Sequence, residues 1–319
     1  MNLSFKEPTQ KIAMDYTINI QGLTKSFKGT RAVDGVSLSI PRGELFGIIG
    51  PDGAGKTTLF RLLTTLLSPE EGEGSIDGLD LRRDYRAIRE RVGYMPGKFS
   101  LYQDLTVREN LEFFASVFKT SIEENYDLIK DIYCRLEPFS DRKAGKLSGG
   151  MKQKLALCCA LIHSPSVLFL DEPTTGVDPS SRREFWEMLA RLKGFGITML
   201  VSTAYMDEAA RCDRVAMMSG GRFLRSGSVG EIVGSYDRQL LEVRAEDMFR
   251  LLGDLRGLPE TDECYTFGGV HHLRLRAGAT LECDALRQQL EALGHREVHI
   301  AVCTPNLEDC YMYEAGRLR

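Results

Sequence analysis

Nine residues constrain this chain more than any other segment: Gly50-Pro51-Asp52-Gly53-Ala54-Gly55-Lys56-Thr57-Thr58. They form a complete GxxxxGK[ST] loop directly after the apolar run LFGII and directly before the helical run LFRLLTTLL. Glycines let successive backbone N–H groups turn inward around phosphate oxygens, and the helix that follows presents its positive N-terminus to the same anion. A glycine-rich turn arising by chance has no reason to sit between a strand and a helix. The pattern predicts that Lys56 bridges the terminal phosphates of a nucleotide and that the Thr57 hydroxyl holds Mg²⁺.

A second segment, Val167-Leu168-Phe169-Leu170-Asp171-Glu172, reads as a strand buried on both faces. It ends in two acids at the carboxyl end, where parallel sheets bind their ligands. An apolar run ending in acids is weak evidence alone, but downstream of a phosphate loop it gains a role. Asp171 completes the Mg²⁺ shell, and Glu172 orients and deprotonates an attacking water. LFGIIG, VLFLD, TMLVST and RVAMM alternate with helical runs, the pattern of a parallel sheet wrapped by helices. Residues about 97–160 are mainly helical and interrupt that alternation.

The third segment is Leu147-Ser148-Gly149-Gly150-Met151, followed by KQKLALCCALI. It resembles the LSGGQ signature of ATP-binding cassette proteins. The order of motifs resembles that family too: phosphate loop, helical insert, signature, two-acid strand, then Pro173-Thr174-Thr175-Gly176-Val177-Asp178. The resemblance covers roughly residues 17–234. Serine and two glycines at a helix start make an anion cradle, yet this chain already has one. The resemblance implies that two cassettes pair head-to-tail, each signature completing the other's ATP site. It also implies that Phe27 stacks on adenine, which for a lone aromatic stands beside simple core packing, and that Asp178 joins the two sites. PNLEDCYMYE and FSLYQDLTVRENL resemble the drug-resistance-type exporter branch, in which Phe99, Leu101 and Tyr102 form an apolar socket for a membrane subunit or else local core.

Two positions depart from the family pattern. Gly97 follows Tyr94-Met95-Pro96 where the family has a glutamine, and Ala204 stands where it usually has a histidine. Losing one aimed transition-state donor costs on the order of 10²–10³ in rate, so slow hydrolysis is expected while binding persists.

The chain has 319 residues and net charge −4, which gives no sign of a general nucleic-acid binder. No apolar run approaches the ~18 residues of a membrane span, so a membrane role is borrowed from integral permease subunits. Eight cysteines without a CxxC pair read as reduced thiols. His271 and His272 alternate on a strand and cannot share one ion. Residues 1–14 read as a polar extension without a secretory h-region. No lysine follows Lys193, and residues 235–319 carry 10 Lys+Arg against 15 Asp+Glu.

The expected fold is α/β: a P-loop NTPase cassette over 15–234 with parallel-sheet core and helical subdomain, then a small α+β domain over 235–319 resembling the ferredoxin-like plan. By resemblance that last domain is a dimerisation or regulatory module. The expected function is ATP hydrolysis, with Mg²⁺, for an exporter of drug-like substrates at the cytoplasmic membrane face. The alternatives are a soluble cassette ATPase of translation or DNA repair, disfavoured by the single cassette, and an ATP-dependent clamp with little hydrolysis, suggested by Gly97 and Ala204.

Overall fold

The computed structural model describes residues 16–98 and 101–317, in two compact units that meet at Val229 and Gly230. The first opens with β1 (Tyr16–Phe27) and β2 (Thr30–Pro41). Next come β3 (Leu45–Ile49), the phosphate loop and α1 (Lys56–Leu63). β4 (Glu71–Ile76), β5 (Leu79–Asp80), α2 (Tyr85–Arg91) and β6 (Val92–Met95) lead into the helices α3 (Val107–Val117), α4 (Tyr126–Tyr133) and α5 (Gly149–Leu161). The chain then returns through β7 (Val167–Asp171), α6 (Pro179–Lys193), β8 (Thr198–Thr203), α7 (Met206–Ala209), β9 (Arg214–Ser219) and β10 (Arg222–Gly227).

Two sheets result. The six-stranded sheet has the order β10-β9-β3-β8-β7-β6, parallel except for the edge strand β10. Every residue of β3, β7 and β8 is buried, as expected of strands covered on both faces. The second sheet, β2-β1-β4-β5, is antiparallel. Sequence alternation alone does not anticipate it, because its strands carry many polar residues and glycines. One apolar core joins both sheets and α1: Ile18, Ile20, Phe60 and Phe169 are all buried in it, and Phe60 meets Phe169 edge-on at 5.9 Å. The register places the ends of β3, β7 and β8 side by side, with Ile49 opposite Thr203 and Asp171 opposite Ser202. The chemistry sits at those ends.

The second unit runs α8 (Val229–Gly234), β11 (Leu240–Arg244), α9 (Met248–Arg256), β12 (Thr261–Phe267), β13 (Val270–Leu275), α10 (Cys283–Ala292), β14 (His299–Val302) and α11 (Leu307–Gly316). Its sheet order, β12-β13-β11-β14, is antiparallel throughout, the split βαβ arrangement of ferredoxin-like domains. Leu241, Val243, Leu273 and Leu275 pack on Leu251 and Leu255 of α9 and on Leu286 and Leu290 of α10. PNLEDCYMYE, read from sequence as a family ending, builds α11, capped by Asn306 in a reciprocal pair with Asp309. Adjacent on β13, His271 and His272 bond in different directions, Nε2 of the first to the Met248 carbonyl and Nδ1 of the second to Asp309.

Candidate functional site

Gly55, at φ +109°, caps α1 with no side chain in the way. A Cβ built there would lie 2.2 Å from the Ala32 carbonyl oxygen, so only glycine fits. Gly50 is equally confined, its Cβ position 2.2 Å from the Met218 carbonyl. The first N–H groups of a helix have no intrahelical acceptor, and here they open onto a cleft of about 520 Å³. Asp52, Gly53, Lys56, Thr57, Thr58 and the strand-end acids line it, and Ala54 and Gly55 form its floor.

Lys56 is only 3% exposed, and its amino group has three partners. It donates to the carbonyls of Gly50 at 2.8 Å and Pro51 at 3.1 Å, and lies 3.2 Å from Glu172 Oε1. Asp171 is buried, and its Oδ1 accepts a 2.6 Å bond from the Ser202 hydroxyl. Glu172 has a left-handed backbone, φ +49°, unusual for a residue with a side chain. Its N–H donates to Ser202 Oγ at 2.9 Å and to the Ser202 carbonyl at 3.1 Å, which hold the turn and set the carboxylate over the cleft. Ser202, on the neighbouring strand, thus anchors both acids. Sequence reasoning missed it, although it stands beside the noted Ala204.

Glu208 was also missed. Buried at the start of α7, it accepts 2.6 Å bonds from Thr174 and Thr203 and lies 3.4 Å from Arg182. Arg182 in turn lies over the Tyr205 ring at 4.1 Å. This hub fixes the turn that carries the exposed Ala204, which brings no donor. Gly97 lines the cleft itself: a Cβ there would approach the Asp171 carbonyl at 3.0 Å and Glu172 Cβ at 3.7 Å. The position next to both acids therefore presents only backbone. Tyr94 also lines the cleft, and burial, reinforced by the Asp171 charge, pushes its hydroxyl up to about 12.

The signature residues stand apart from this cleft. Ser148 caps α5 by accepting from the Met151 N–H at 3.3 Å and is exposed with Gly149, while Leu147 and Gly150 pack inward. A Cβ on Gly150 would meet Ser181 Oγ at 2.6 Å, so glycine lets α5 approach α6. Asp178 caps α6 through the Ser180 and Ser181 N–H groups and the Ser180 hydroxyl, which hold its carboxyl well below the usual range. Phe27 is exposed at the end of β1 with Lys25 Nζ 5.8 Å from its ring.

A family model described as ABC transporter matches residues 33–175, a span that holds the phosphate loop, the signature and both acids. The Nod factor export ATP-binding protein I of Burkholderia lata is 36% identical over 94% of this chain and 97% of its own length. The chain belongs to the ABC transporter family.

Within it, similar proteins carry the names of ATP-binding proteins of multidrug transport and of Nod factor export. The chain is 40% identical over 93% of its length to the probable multidrug ABC transporter ATP-binding protein YbhF of Escherichia coli, of which it spans about half, 52%. Among solved structures, the first unit is similar to the ABC cassette cbiO1 of Clostridium perfringens, with TM-score 0.62, 29% identity, and coverage of 69% of this chain and 92% of that one. It is also similar to the dimeric cassette MJ0796 in a post-hydrolysis state bound to ADP and Pi, with TM-score 0.60, 28% identity, and coverage of 66% and 98%.

Beside the nucleotide cleft the cassette carries an apolar cavity of about 260 Å³ lined by Leu66, Met95, Leu101, Phe114, Phe118 and His163 among others. Leu101 is buried in it; Tyr102 is half exposed and stacks edge-on against Phe113 at 4.8 Å. Phe99, expected in the same socket, lies outside the described residues. The His163 ring stacks on Phe118 at 3.7 Å and its Nε2 meets the Val92 carbonyl at 3.1 Å, while the buried Nδ1 has no partner. Burial depresses this imidazole to about 4. Among the described residues no helix is long and apolar enough to cross a membrane.

Proposed function

We propose that this chain is the ATP-hydrolysing subunit of a membrane exporter, working with integral membrane subunits and a second cassette at the cytoplasmic face. The observation that carries this reading is the convergence of Lys56, Asp171 and Glu172 at one cleft, with the phosphate-loop backbone as its floor. Oxygen donors in that cleft suit Mg²⁺: Thr57 and Asp171 would hold it, and the ion would offset phosphate charge. Lys56 and the first N–H groups of α1 bind the phosphates. Glu172 takes the proton of the attacking water, its carboxylate held in place by Ser202. Ser148 and Gly149, exposed at the start of α5, serve the partner's ATP, as the dimeric form of the similar cassette supports. The apolar cavity beside Leu101 receives a helix of the membrane subunit. The cargo we infer is a drug or other small hydrophobic or amphiphilic molecule; the relatives' names, multidrug transport and Nod factor export, support export of a small molecule.

Gly97 and Ala204, both without a donor, favour a second reading: an ATP-gated clamp with little turnover. One experiment separates the two. Mg²⁺-dependent ATP turnover is measured for the chain purified with its membrane subunits, unmodified and as Glu172→Gln. Turnover that drops on the order of 10²-fold or more in Glu172→Gln, with ATP affinity retained, is expected for the hydrolase. Unchanged turnover in Glu172→Gln overturns Glu172 as the base. Tight ATP binding with no turnover in the unmodified complex establishes the clamp.

A further inference from the structure

The polar face of the second unit's sheet carries a cluster that the nucleotide chemistry does not use. In register, Glu242 of β11 faces His272 of β13 and Ala301 of β14. Cys303 lies two residues beyond Ala301, on the same side, its N–H bonded to the Leu240 carbonyl at 2.9 Å. Three adjacent strands thus bring a carboxylate, an imidazole and a thiol together, with one ligand atom from each within 4.8 Å of the others. The opposite face of these strands carries the apolar core, with Leu241, Val243 and Leu273 in it.

The imidazole is set up from behind. Asp309, fully buried on α11, accepts from His272 Nδ1 at 2.7 Å, from the Tyr265 hydroxyl at 2.5 Å and from the Asn306 N–H at 2.7 Å. A carboxylate acceptor places the proton on Nδ1 and leaves the Nε2 lone pair free. That nitrogen faces Cys303 Sγ at 4.0 Å. A carboxylate behind a histidine whose other nitrogen meets a thiol and a second carboxylate is the arrangement that orients and strengthens a metal ligand.

We propose that Glu242, His272 and Cys303 bind a borderline-soft divalent cation of the Zn²⁺ type, with Asp309 orienting His272. At Zn–S of about 2.3 Å and Zn–N of about 2.0–2.1 Å, tetrahedral ligand atoms stand about 3.6 Å apart. The 4.0 Å between Sγ and Nε2 closes to that value by a small side-chain adjustment. Mixed S, N and O donors select Zn²⁺ over Mg²⁺ or Ca²⁺. The Glu242 carboxylate and a Cys303 thiolate balance two positive charges, and coordination deprotonates the thiol. A thiol used instead as a nucleophile gains nothing from the anionic Glu242 beside it; a cation reconciles the two. The fourth position stays open for water or a ligand from outside the chain.

The test uses the full chain, stripped with a chelator and titrated with Co²⁺, then Zn²⁺. Expected is one Co²⁺ per chain with a thiolate-to-metal charge-transfer band that Zn²⁺ abolishes by displacement; cobalt at the oxygen-lined nucleotide cleft gives no such band. Cys303→Ser removes the band, while Cys134→Ser and Cys283→Ser keep it. Asp309→Asn weakens Zn²⁺ about 10–100-fold, and Glu242→Gln, a change at a partly exposed position, weakens it by at least about tenfold without unfolding the domain. A missing band in the native chain, a band that survives Cys303→Ser, or unchanged Zn²⁺ affinity in folded Glu242→Gln overturns the proposal. So does alkylation of Cys303 at the same rate with and without saturating Zn²⁺.

Discussion

The nucleotide cleft and the apolar cavity of the first unit share two walls, Tyr94 and Pro96, and otherwise have nothing in common. The cleft is made of backbone: a glycine turn, a helix start and the ends of adjacent parallel strands, with Lys56 and two acids aimed into it. The cavity is made of side chains from distant segments, Leu66 after α1, Phe114 of α3, Cys159 of α5 and His163 beyond it. A site built by backbone tolerates almost no change of residue type at its turns. A site built by side chains accepts any set that fills the same volume and leaves polar atoms paired. Tyr94 and Pro96, belonging to both, put the phosphate-loop cleft and the apolar cavity within one strand end of each other.

The largest expected effect breaks the cleft alone. Gly55→Ala forces a side chain onto a φ of +109° and a contact 2.2 Å from the Ala32 carbonyl. A cost of about 3 kcal/mol or more and loss of nucleotide binding are expected, read by denaturant unfolding and nucleotide titration. Near-native binding would show that the loop's backbone is not the rigid element described. Smaller is Ser202→Ala, which frees Asp171 and removes the side-chain acceptor of the Glu172 N–H. Mg²⁺-dependent turnover should fall about 10–100-fold, with nucleotide affinity in the absence of Mg²⁺ unchanged. Equal loss with and without Mg²⁺ would make Ser202 a general strut rather than the anchor of the acids.

The smallest effect belongs to the cavity. Between pH 6.5 and about 4 the unfolded chain protonates a histidine that folded His163 keeps neutral. More protons are bound unfolded than folded, so stability falls as pH drops through that window. From pH 6.5 to 5.5 the loss is about 1 kcal/mol. His163→Phe keeps the stacking on Phe118 and removes that part of the slope. An unchanged slope from paired urea titrations would mean that the Nδ1 atom reaches water.

These differences explain what was legible in the sequence. Gly50 to Thr58 form one contiguous run, and Asp171 and Glu172 end another, because backbone conformation is local and each motif names its own context. The buried runs of β3, β7 and β8 were legible for the same reason: strands covered on both faces leave an unbroken apolar record. Ser202 and Glu208 were not, since their value lies in hydrogen bonds across neighbouring strands and turns, and a serine or glutamate at a strand end is unremarkable. The sheet β2-β1-β4-β5 escaped notice because bulges and polar exposed positions blur its alternation. In the second unit, Glu242, His272, Cys303 and Asp309 are separated by up to 67 positions, 242 to 309, and only the β12-β13-β11-β14 order together with the placement of α11 brings them together.

The Lys56 ammonium donates to the carbonyls of Gly50 and Pro51 and stands 3.2 Å from Glu172 Oε1 as an ion pair. A phosphate that reaches this ammonium competes with the Glu172 carboxylate for the same positive charge. Under the proposed function, a phosphate that took the place of Glu172 beside Lys56 would free the proposed base in the same event that seats the nucleotide.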